Sequence, residues 1–127
     1  MLLNFENETH DLTPDEFRLV PLFVLGLSKK IGEENAITNK KMCEAIREKT
    51  GHRLSEPRCR AIIHFLRVSK KVKNLVSSSK GYYVETDQIK IAEYKKSLEQ
   101  RINSIREIAD TFQPKLSPAQ QLFLVEG

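Results

Sequence analysis

Apolar residues recur along this chain at two different periods, and the switch between them sets its layout. The clearest helical period lies between Ser55 and Lys71, where Cys59, Ile62, Ile63 and Leu66 follow the i, i+3, i+4, i+7 spacing of a buried face. At about 100° per residue, Arg60, His64, Arg67 and Lys71 gather on a neighbouring side, with small Ala61 beside them. Ser55 is placed to accept a hydrogen bond from the first turn, and Pro57 sits where its missing N–H costs nothing. One side of this helix is therefore expected to be core and the other a basic stripe.

Earlier in the chain, Leu12-Thr13-Pro14-Asp15-Glu16 starts a first helix, with Thr13 as N-cap and Glu16 completing a capping box. Leu12 can staple against Phe17. The helix should reach about Lys30, kinked at Pro21, with Gly32 near its end. Its almost continuous apolar run (Leu19, Val20, Leu22, Phe23, Val24, Leu25, Leu27) predicts burial on more than one side, against the C-terminal part or a second subunit. Ala36-Ile37-Thr38 reads as an extended link, and Thr38 or Asn39 caps a second helix over Lys40 to about Thr50. That helix buries Met42, Ala45 and Ile46 and stops at Gly51. With the turn His52-Arg53-Leu54 it leads into the Ser55 helix, making a helix-turn-helix candidate.

After Lys71 the period falls to two. Val72 to Ser77 and Tyr82 to Glu85 read as strands around Ser78-Ser79-Lys80-Gly81, a hairpin in the position of a wing. Thr86 or Asp87 then caps a long helix to about Phe112. Its stripe is Ile91, Tyr94, Leu98, Ile102, Ile105, Ala109 and Phe112. The helix ends before Pro114, and Leu122 to Val125 form a late apolar cluster. The expected organisation is an arm or short strand over 1–12, a winged helix-turn-helix domain over 13–86, a long amphipathic helix over 87–113 and a tail over 114–127. The fold class is mainly α with a small β-hairpin wing (α+β).

Composition sharpens this picture at one point. The chain has 127 residues, 39% of them hydrophobic and 30% charged, as in a globular domain. Net charge is only +4, but residues 38–80 hold twelve basic and three acidic side chains, and no acid lies between Pro57 and Lys80. A concentrated cationic segment points to a polyanion, most often nucleic acid. Arg60, His64 and Arg67 then face base edges or nearby phosphates, with Arg58 beside them, while Lys70, Lys71, Lys73 and Lys80 hold backbone phosphates. Ser79, Gly81 and Tyr82 form the wing. Tyr82 and Tyr83 are candidates to stack on a base or sugar, although strand alternation puts at least one of them in the core.

Other chemistries find little support. Cys43 and Cys59 sit on helix faces with no second thiol or His at ligand spacing, so two buried thiols and no metal or other cofactor are expected. Ser77-Ser78-Ser79-Lys80 fits the S-x-x-K nucleophile pattern, but its companion motifs are missing and no convergent acid, base and nucleophile set is visible. The expectation is a protein that is not an enzyme. No basic-then-apolar leader opens the chain, and the run Leu19 to Leu27 is too short to span a bilayer, which favours the cytoplasm of a bacterial host and no membrane partner.

Two surfaces suggest protein partners. The long-helix stripe, at Leu98, Ile102, Ile105 and Phe112, packs either on the first helix or on its twin in a homodimer. Gln121-Leu122-Phe123-Leu124-Val125 is similar to the bacterial sliding-clamp-binding peptide Gln-Leu-Ser/Asp-Leu-Phe, with Gln121, Leu122 and Leu124 matching and Phe123 and Val125 departing. Docking of this tail on the chain's own domain is the expected outcome.

From Leu12 to about Phe112, some four-fifths of the chain, the sequence resembles a family of small winged-helix proteins of Bacteroidetes-type phages, prophages and mobile elements. The segments concerned are V-P-L-F-V-L-G-L at 20–27, I-G-E-E-N-A-I-T-N-K-K-M-C at 31–43 and S-E-P-R-C-R-A-I-I-H-F-L-R at 55–67. S-S-K-G-Y-Y-V at 78–84 and S-L-E-Q-R-I at 97–102 complete the likeness. The resemblance implies a winged helix and a mobile-element origin, and brings no catalytic residues. The expected function is double-stranded DNA binding in phage or prophage transcription regulation or replication. The alternative is an interaction module gripping a host protein, for example as an inhibitor of a host nuclease or defence complex.

Overall fold

Local chemistry decides where the helices begin and end. The computed structural model describes residues 11–126, so the expected N-terminal arm lies almost wholly outside the described residues. Thr13 caps α1 (Pro14–Ser28): its Oγ1 accepts from the Glu16 N–H at 3.2 Å, and Glu16 returns the bond to the Thr13 N–H at 2.8 Å. The helix runs through Pro21 and closes at Lys29. A 3₁₀ turn (Glu33–Asn35) leads to α2 (Asn39–Thr50), capped by Thr38 and ended by Gly51 in the left-handed region at φ 75°. Ser55 caps α3 (Glu56–Val68).

A two-stranded antiparallel hairpin follows, β1 (Leu75–Ser78) paired with β2 (Gly81–Val84). The expected first strand is thus shortened, because Lys70 to Asn74 turn instead. Asp87 caps α4 (Gln88–Ala109), accepting from the Ile89 and Lys90 N–H groups, and α5 (Pro118–Glu126) closes the described chain. The protein is mainly helical with one small hairpin.

β2 has a second neighbour. Ile37 pairs with Tyr82 through reciprocal bonds of 3.0 and 2.8 Å, and Val84 bonds the Lys30 carbonyl at 2.7 Å and the Gly32 N–H at 3.0 Å. The extended link at Ile37 therefore edges the hairpin and ties it to the end of α1. Gly81, at φ 121°, explains its residue type here: a Cβ would run into the Ile37 carbonyl group.

The core gathers Leu19, Val20, Phe23 and Leu27 of α1 and Met42 and Ile46 of α2. It is completed by Cys59, Ile62, Ile63 and Leu66 of α3, with Val72 and Leu75. The four α3 positions expected to be buried are all 1% exposed or less. Three expectations need correcting. Ala61 is buried and belongs to the core side of α3, not to the basic stripe. Ala45 is only half-buried, because it faces a groove between α1 and α2. α1 is buried along one side, whereas Leu25 and Phe17 remain at least half exposed, so its apolar run is not wrapped all round. Phe17 sets its ring edge-on to Phe65, 5.5 Å between centroids.

One buried carboxylate fixes α1 on α3. Glu16, 4% exposed, receives Arg58 Nε at 2.8 Å and Nη2 at 2.6 Å, while Arg58 Nη2 also reaches the Asp11 carbonyl at 2.7 Å. The bond from Arg58 holds the Glu16 carboxyl below its ordinary range despite burial, and the pair raises Arg58. Both cysteines are free; burial, with Cys43 close by, pushes the Cys59 thiol well up.

Candidate nucleic-acid interface

Because α3 turns Cys59, Ala61, Ile62, Ile63 and Leu66 inward, a 100° step places Arg60 and His64 on the opposite, exposed side. Arg67 lies further along and is half-buried. Its Nη2 donates to the Tyr94 hydroxyl at 3.1 Å, and the same oxygen accepts from the Ser77 N–H at 3.3 Å. Tyr94 thus fastens α4 to both α3 and β1. Burial raises the pKa of this phenol, but the bonds from Ser77 and Arg67 outweigh it and leave the group below its ordinary value. The sequence offers a signal for this role: Tyr94 is the one polar-tipped member of the otherwise aliphatic start of the α4 stripe.

Just past α3 the chain reverses. The Lys70 N–H bonds the Arg67 carbonyl at 3.3 Å and the Val72 N–H the Leu66 carbonyl at 3.4 Å, a Schellman-like closure. Lys70 itself sits at φ 62°, and Asn74 at φ 58°. A lysine in the left-handed region, where glycine is the usual occupant, carries a backbone cost of about 1 kcal/mol. Lys70, Lys71 and Lys73 are all exposed. No carboxylate of the described residues lies within ion-pair distance of Arg60, Arg67, Lys70, Lys71 or Lys73.

The remaining candidates divide. Arg58 is corrected: it is committed to Glu16 on the core-facing flank of α3 and does not join the exposed group. Lys80 is exposed at the hairpin tip beside Ser79, but it faces Glu33 at 3.9 Å. The acid-free run of the sequence is therefore not acid-free in space, because the 3₁₀ turn packs next to the hairpin. Tyr82 lies on the hairpin, half-buried. It packs against the core cluster and burial raises its phenol, as burial does for Tyr83 on the opposite face of β2. Tyr83 is the buried member of the pair, as strand alternation implies, and Gly81 is occupied by its approach to Ile37. The exposed residues of the hairpin tip are Ser79 and Lys80.

Beyond this face, α4 and α5 are open. Leu98 is half-buried, but Ile102, Ile105, Ile108 and Phe112 are between 59% and 73% exposed. Leu122, Phe123 and Leu124 are also exposed on α5, so the tail is not docked on the domain as expected. Gln121 bonds the Leu116 carbonyl at 3.3 Å from within that helix. Among the described residues no His, Cys, Asp and Glu group is placed to hold a metal ion, and no helix is long and apolar enough to cross a membrane. Compared with family models, curated proteins and solved structures, the chain matches none of them, and its own residues are what a functional reading must start from.

Proposed function

We propose that this is a winged-helix protein that binds double-stranded DNA through the exposed side of α3 and the lysines that follow it. What supports the reading is one observation: Arg60, Arg67, Lys70, Lys71 and Lys73 stand clear of every described carboxylate, on and after a helix whose other side is core. A cationic ridge on a rigid helix is the arrangement that major-groove binding requires. Arg60 and His64 come first along the helix and reach deepest; Lys70, Lys71 and Lys73 meet phosphates. The helix order, with α2, a Gly51 turn, α3 and a hairpin, fits a winged helix-turn-helix. A phage or prophage setting, within a bacterial cytoplasm, follows from the family resemblance alone.

Fluorescence anisotropy on random duplex DNA across a salt series tests this. Three to five phosphate contacts give a log–log slope of about −2.7 to −4.5, with tight binding at low salt lost near physiological salt. Absence of binding at low salt overturns it. That result would favour the second reading, an interaction module for a host protein such as a nuclease or sliding clamp. The exposure of Leu122, Phe123 and Leu124 on α5 supports that alternative.

A further inference from the structure

We infer that the far half of α4 pairs antiparallel with the same helix of a second copy of this chain. Ile91, Tyr94 and Leu98 are half-buried at the base of α4, but from Glu99 onward every residue of the helix is exposed, the apolar Ile102, Ile105 and Ile108 included. Phe112, also exposed, follows just past the helix end. An apolar stripe held out from the body in this way needs a cover.

Charge identifies the cover and its direction. At 100° per residue, Lys95, Glu99, Arg106 and Asp110 line one flank of the stripe, in the order plus, minus, plus, minus. Read backwards the order becomes minus, plus, minus, plus. Two copies laid antiparallel, so that facing residue numbers sum to about 205, therefore set Lys95 against Asp110 of the second copy and Glu99 against its Arg106. Each pair occurs twice. On the other flank Arg101 meets Ser104 of the second copy, so no like charges stand directly opposite within the overlapped helices. A parallel pair instead brings opposite flanks together five residues out of step, with Lys90 against Lys95 and Arg101 against Arg106.

The apolar positions accept the same register. Ile102 lies at the two-fold axis and meets its own twin, and Leu98 packs against Ile108 of the second copy. Phe112 of the second copy comes abreast of Tyr94. There the body has a cavity of about 170 Å³ lined by Arg67, Val72, Leu75, Val76, Ile91 and Tyr94, into whose mouth the ring can project. The pairing is independent of DNA binding and can fail or hold without it.

Analytical ultracentrifugation of the full chain should show a monomer–dimer equilibrium. Reversing one charge, Lys95→Glu, turns two attractions into two repulsions and weakens the dimer about tenfold; Lys95→Glu with Asp110→Lys restores it to within about threefold. Ile102→Glu puts two carboxylates at the axis and weakens it about a hundredfold. All these positions are exposed, and circular dichroism of each variant checks that the fold is kept. Direction is read by oxidising a mixture of Lys95→Cys and Asp110→Cys proteins. A 95–110 disulfide between copies is expected, with neither variant linking to itself. A chain that stays monomeric at sub-millimolar concentration, or a 95–95 link, overturns the pairing.

Discussion

α3 and α4 are both amphipathic helices drawn from the same residue types, yet they meet opposite fates. Cys59, Ile62, Ile63 and Leu66 of α3 are sealed in the core, while α4, nearly twice as long, has no buried residue at all. Apolar positions recur at the helical period in both. What differs is the supply of neighbours: α3 packs on α1 and α2, whereas α4 leaves the body after Leu98. Periodicity thus tells which side of a helix wants burial, and only tertiary contacts tell whether the chain itself provides it.

Breaking the body should therefore be expensive and breaking the arm cheap. The largest effect is expected for Glu16→Ala, which strands Arg58 between α1 and α3 and should cost about 3 kcal/mol in urea unfolding. The pH dependence has a fixed sign. Because Glu16 is held below its ordinary pKa in the folded state, its contribution is complete above the normal carboxylate range. It drains away as pH falls through the lowered value. Wild type should lose stability there, and Glu16→Ala should lose less over the same interval.

Tyr94→Phe probes the junction between the two regions. It removes the acceptor shared by Arg67 and Ser77 and should cost about 1 kcal/mol, with faster amide exchange at the base of α4. Lys70→Gly separates folding from binding, because the two effects have opposite signs. Relief of the left-handed backbone should stabilise the fold by up to about 1 kcal/mol, while loss of the cation should lower DNA affinity and reduce the salt slope by about 1. Ile105→Ala marks the small end of the scale. On an exposed helix it should change the stability of the isolated chain by no more than about 0.5 kcal/mol, measured by thermal melts at low concentration.

The features legible in the sequence are those written locally. Thr13, Ser55 and Gly51 end their helices through bonds to residues three or four positions away, and the α3 core follows from spacing alone. The contacts that escaped are distant ones. Arg58 looked cationic and available because Glu16 lies 42 residues upstream. Lys80 looked unopposed because Glu33 belongs to another element. Of the candidate interface, Arg60, His64 and the lysines after α3 were legible, since a helix's outward side follows from its inward one. Tyr94's grip on Arg67 left only one trace, the polar tip of a single stripe residue.

The length of α4 has a geometric consequence of its own. With two arms overlapped in the register set by their charges, the two Ile91 positions lie 23 steps apart, about 35 Å at 1.5 Å per residue. That is close to the ~34 Å repeat of B-form DNA. A dimer built this way holds its two bodies at a fixed span, so a macromolecule that engages both at once should present its two contacts at a matching separation.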